Sequence, residues 1–140
     1  MRPRNIEEAK QLVQRYESIT VEEIKEVVGL RRFNGRKIAN ELTGFGDYKT
    51  CILCKAVPTH IYNAFTSRKE CENCLYYEFG GCVGLFMEGA EKHPKIAKKL
   101  EITFENICDA KNPQELINAF RERAKLLREL LKIGYGIEVK

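Results

Sequence analysis

The sequence predicts a mainly α protein with a small central zinc-bound loop or hairpin of treble-clef or zinc-ribbon type. Three observations carry this expectation. Helix signals, cap residues followed by apolar stripes, fill both ends of the chain. The middle loses helical periodicity. That middle also holds five of the six cysteines, four of them in two CxxC pairs. The 140 residues suit one domain. It divides into N-terminal helices over 1–46, a zinc-binding insert over 47–84 and C-terminal helices over 85–140.

A first helix follows Asn5, with Glu8 three residues past this cap and Ile6, Ala9, Val13 and Tyr16 on one face. Thr20 and Glu23 form a capping box for a second helix, striped by Val21, Ile24, Val27 and Val28 and stopped by Gly29. A third helix runs from about Asn34 to Leu42 and buries Ile38, Ala39 and Leu42, with Gly44 past its end. After the insert, Pro94 opens a helix in which Ile96, Leu100, Phe104 and Ile107 recur, although Ile102-Thr103-Phe104 leaves a strand open. His93, in a lysine-rich stretch, is expected to be exposed. Asn112, Pro113 and Glu115 are cap, first-turn proline and box acid of the last helix. Its apolar face is Leu116, Ile117, Phe120, Ala124, Leu127 and Leu131, and Gly134 and Gly136 end it. Ile137 to Val139 pair as a short strand or fray.

Cys51, Cys54, Cys71 and Cys74 make two CxxC pairs with 16 residues between them. Two residues between thiols let both sulfurs of a tight turn face one ion, and two such turns complete a tetrahedron. One structural zinc ion is the expected cofactor. It would contribute roughly 10–16 kcal/mol of apparent binding energy, enough to order a glycine-punctuated segment. An iron–sulfur cluster is the alternative, since it also takes four thiolates. Cys82 and His60 are alternative ligands. Cys108, beside Ile107 on an apolar stripe, reads as a core thiol.

The net charge is +4: +2 over 1–50, −1 over 51–90 and +3 over 91–140. Arg31, Arg32, Arg36 and Lys37 form one basic cluster; Lys92, His93, Lys95, Lys98 and Lys99 form another. The first is the candidate nucleic-acid contact, with Tyr48 nearby for stacking. Solvated helix faces are the plainer reading of either cluster. No apolar run approaches the roughly 20 residues of a membrane span, and no signal peptide is visible, so the expected location is cytoplasmic. Leu42-Thr43-Gly44-Phe45-Gly46 resembles the turn of a helix–hairpin–helix motif. A helix C-cap explains those residues more simply, because Thr50 and Cys51 interrupt the second helix.

Cys51-Ile52-Leu53-Cys54-Lys55, Cys71-x-x-Cys74-Leu75-Tyr76, Gly81-Cys82 and a C-terminal amphipathic helix together resemble the small cysteine-rich zinc-ribbon or treble-clef-like proteins of phages and mobile elements. The resemblance covers about half of the chain, points to no named family and implies no catalytic residues.

No Ser/His/Asp set, phosphate loop or open-site zinc pattern is visible, and four thiolates leave no water position on the ion. The expectation is a non-enzymatic, zinc-stabilised binding module for nucleic acid or a nucleic-acid-associated protein. A protein–protein module (inhibitor, adaptor or homodimer) is the alternative, using the helix over 113–131 and the aromatics Tyr76, Tyr77, Phe79 and Phe86.

Overall fold

A computed structural model of the chain describes residues 5–45, 79 and 87–139. Six helices make up this part: α1 (Ile6–Ser18), α2 (Val21–Val28), α3 (Gly35–Thr43), α4 (Met87–Lys92), α5 (Pro94–Asp109) and α6 (Pro113–Tyr135). No strand occurs among the described residues. The mainly α expectation holds for them.

The helix boundaries follow local chemistry. The Glu23 amide donates to Thr20 Oγ1 at 3.2 Å, the Lys37 amide to Asn34 Oδ1 at 3.1 Å, and the Glu115 amide to Asn112 Oδ1 at 2.9 Å. Each bond satisfies an amide that the first helical turn leaves without an intrahelical acceptor. Asn112 Nδ2 also donates to Glu115 Oε2 at 3.0 Å, a side-chain bond beside the cap and not the return bond to the cap's own amide. Gly44 and Gly136 end α3 and α6 in the left-handed region, at φ 77° and 66°. Gly134 does not end α6, which continues to Tyr135.

The 23-residue helix α6 is the axis of the fold, about 34 Å long at 1.5 Å per residue. It packs against α1, α2 and α5, while α3 bridges α1, α2 and α5, and α4 lies on α5. Such a position needs apolar residues around more than one face. Leu116, Ile117, Ala119, Phe120, Ala124, Leu126, Leu127, Leu130 and Leu131 are all buried. Ala119, Leu126 and Leu130 widen the predicted stripe into an arc that faces two neighbours. Tyr16 of α1 stacks on Phe120 at 5.4 Å between ring centres. Arg121 adds a polar tie: it donates to the carbonyls of Tyr16 and, at 2.8 Å, Ile19, where α1 leaves acceptors open.

Residues 102–104 are helical, not extended. Thr103 is buried, and its hydroxyl lies 2.8 Å from the Lys99 carbonyl oxygen one turn back, a bond that reconciles a β-branched polar residue with a buried helix face. Arg123, also buried, donates to Thr103 Oγ1 at 2.8 Å and to the Leu100 carbonyl at 2.9 Å. The tail forms no strand. The Ile137 amide donates to the Leu131 carbonyl, and Ile137 and Val139 pack on the core.

Phe79, the one described residue of the central segment, is 1% exposed. Its ring faces His93 at 4.6 Å and Tyr135 edge-on at 6.3 Å. Gly134 provides the space, since a Cβ there would lie 2.6 Å from the Phe79 ring. His93 is therefore half-buried against an aromatic ring, which corrects the expectation of an exposed side chain.

A candidate nucleic-acid groove between two helix connections

The site begins with a close approach of two helices. The first residue of α3, Gly35, lies so near the last turn of α5 that a Cβ would sit 2.3 Å from the Ile107 carbonyl oxygen. Only glycine permits this contact. It places the amide end of α3 against the carbonyl end of α5, a favourable pairing of helix dipoles. The chain segments leading into and out of these ends, 29–34 and 110–112, are thereby drawn together.

Between them lies a solvent-open groove of about 1170 Å³. Val28, Phe33, Ile38 and Ala110 give it apolar surface. Arg31, Arg32, Lys37 and Lys111 line it as cations, and Asp109 is the single carboxylate among its lining residues. The four cations are exposed, and Phe33 is half-buried.

Arg31 is already engaged. Its Nη1 and Nη2 donate to the two Glu41 oxygens at 3.1 and 2.8 Å, and the same guanidinium reaches the carbonyls of Val27 and Val28. Hydrogen bonding to Arg31 holds the Glu41 carboxyl below its ordinary range. Glu41 therefore stays ionised at neutral pH and keeps the Arg31 fork occupied. Counting Glu41 and Asp109 against the four cations leaves an excess of two positive charges.

The predicted cluster is thus divided. Arg31, Arg32 and Lys37 share the groove, but Arg36 does not line it. The next residue along a helix points about 100° away. Arg36 accordingly sits over the Phe104 ring at 6.0 Å, and Phe104 in turn packs against Phe45 at 4.8 Å. Gly44 caps α3 by donating to the Asn40 carbonyl at 2.8 Å, and Phe45 is buried, as the C-cap explanation of that glycine requires. In the second cluster, Lys98 and Lys99 are paired with Glu101 and Glu129 at 3.5 and 3.2 Å, as befits a solvated face.

Sequence reasoning missed Lys111, Phe33 and Asp109 as groove residues. Cys108 is half-buried at the groove wall and not a fully enclosed core thiol. Burial pushes its thiol up, outweighing the Arg36 charge that opposes the shift. Cys108 is protonated at neutral pH and is a poor nucleophile or metal ligand.

The zinc ligands Cys51, Cys54, Cys71 and Cys74, the alternatives Cys82 and His60, and Tyr48 lie outside the described residues. Among the described residues no group of three or more His, Cys, Asp or Glu could hold a metal ion. No described helix is long and apolar enough to cross a membrane. No family model, curated protein or solved structure matches the chain.

Proposed function

We propose that the protein is a non-enzymatic binding module that holds nucleic-acid phosphates in the groove between the α2–α3 and α5–α6 connections. One observation carries this: Lys111, remote in sequence, joins Arg31, Arg32 and Lys37 around a single concavity with excess positive charge. Phosphates bind such clusters by ion pairing and counterion release, which needs no catalytic group.

In this proposal the insert 47–84 is pinned by one zinc ion. The donor chemistry supports it, because four thiolates in two CxxC pairs form a closed structural site. The ion's role is to stabilise the insert, and no chemistry is assigned to it. Elemental analysis of protein purified without chelator tests this part. One zinc per chain is expected; iron with visible absorbance would replace zinc with an iron–sulfur cluster.

The groove is tested by fluorescence anisotropy with a labelled oligonucleotide at several salt concentrations. Affinity should fall steeply with salt, and Arg32→Gln, Lys37→Gln and Lys111→Gln together should remove most of it. Salt-insensitive binding, or full affinity in the triple variant, would refute the proposal.

A further inference from the structure

We infer that the groove takes single-stranded in preference to duplex nucleic acid, with Phe33 as the stacking surface for a base. This rests on the proposed binding function and adds a choice of strand state to it. The cations line a concavity. Duplex DNA is read by an element that projects into its groove, whereas a positively charged channel that follows one backbone, lined with aromatic rings, suits a single strand. The groove also has an apolar component that phosphates alone would leave unused. Phe33 is half-buried, so one part of its ring packs on the core and the rest faces the groove. Val28, also partly exposed, extends this apolar surface, and Arg32 and Lys37 lie on either side of Phe33 in sequence. The flat face of an unpaired base and its charged backbone match this combination. A duplex hides its base faces in the stack and offers a shallow concavity only its phosphates and base edges.

The test uses the 140-residue chain purified without chelator, with a labelled 12-nucleotide oligo(dT), the corresponding oligo(rU) and a 12-base-pair duplex. Single strands are expected to bind at least tenfold tighter than the duplex. Phe33→Leu keeps an apolar side chain on the core and should weaken single-strand binding about tenfold, the effect of losing one stacked base. It should leave duplex binding unchanged. The chain contains no tryptophan, so Phe33→Trp makes this position its own reporter. The indole emission of that variant should be quenched by oligo(dT) and not by the duplex, a readout that does not depend on how well Phe33→Leu folds. Equal or tighter duplex binding, or indole emission in Phe33→Trp that is indifferent to a bound single strand, would overturn this inference while leaving phosphate binding intact. Absence of binding to all three probes would remove both.

Discussion

Replacing Gly35 with alanine should destabilise the protein, although alanine is ordinarily the better helix former. The added Cβ would meet the Ile107 carbonyl oxygen at 2.3 Å, the Ala110 carbonyl oxygen at 3.1 Å and the Ala110 Cβ at 3.3 Å. Comfortable contact begins near 3.4 Å, so α3 and α5 must part by about 1 Å. The nearest obstacle is backbone at a helix end, which no rotamer change can move. Forcing atoms into a packed contact costs about 1–3 kcal/mol, and a backbone obstacle places this case at the upper end. Better helix propensity returns at most about 1 kcal/mol. The net loss is about 2 kcal/mol. With an unfolding entropy of about 2.1 cal/mol/K per residue, Tm should fall by about 7 °C. Gly134→Ala is the comparison: its Cβ would meet the Phe79 ring at 2.6 Å, a side chain and not a backbone carbonyl, so its loss should be smaller. Calorimetry or thermal circular dichroism on protein purified without chelator measures both. A Gly35→Ala variant as stable as wild type would refute the close approach, and with it the origin of the groove.

Arg123→Ala should cost about 3 kcal/mol in chemical denaturation, because it opens a cavity between α5 and α6 and removes donors to Leu100 and Thr103. Arg123→Met, which keeps the volume, should cost distinctly less. Glu41→Gln should release Arg31 for phosphate and strengthen oligonucleotide binding several-fold, while the slope of log K against log salt for a single strand steepens by about 0.7, one added phosphate contact. The Glu17–Arg128 pair, bonded at 2.7 and 2.8 Å, should show in the acid limb of stability. The Arg128 hydrogen bond lowers the Glu17 carboxyl from 4.5. The unfolded state therefore takes up that proton first as pH falls, so the pair's contribution is complete above the ordinary carboxylate range and lost as pH drops through the lowered value. Both side chains are about one-third exposed, so Glu17→Gln should cost less than about 1 kcal/mol at pH 7 and nothing once both states are protonated. Urea titrations of both proteins between pH 7 and pH 3 give the comparison.

The parts of the fold legible in the sequence are those decided within a few residues. Thr20 with Glu23, Asn34, and Asn112 with Glu115 cap helices because a side-chain oxygen reaches an amide three residues on. The predicted stripe of α6 is buried throughout for the same local reason of helical spacing. Arg123 escaped notice because charge suggests exposure, yet its position, three after Phe120 and four before Leu127, lies on the apolar face. Thr103 suggested a strand by its β-branching, which a back-bond to Lys99 and burial against α6 override. The groove was half legible. Arg31, Arg32 and Lys37 are neighbours in the chain, but the arrival of Lys111 depends on the contact of Gly35 with Ile107, a tertiary event with no local signature. The separation of Arg36 from the others follows from helix geometry and was available in advance.

The proposed seat of nucleic acid is the groove between the α2–α3 and α5–α6 connections. Ultraviolet cross-linking of the bound oligonucleotide, followed by mass spectrometry of the digested complex, tests it most directly. Cross-links should concentrate in peptides that contain Phe33 and its flanks and residues 108–111. Cross-links confined to the insert 47–84 or to the Lys95–Lys99 face, with these two connections unmodified, would contradict it.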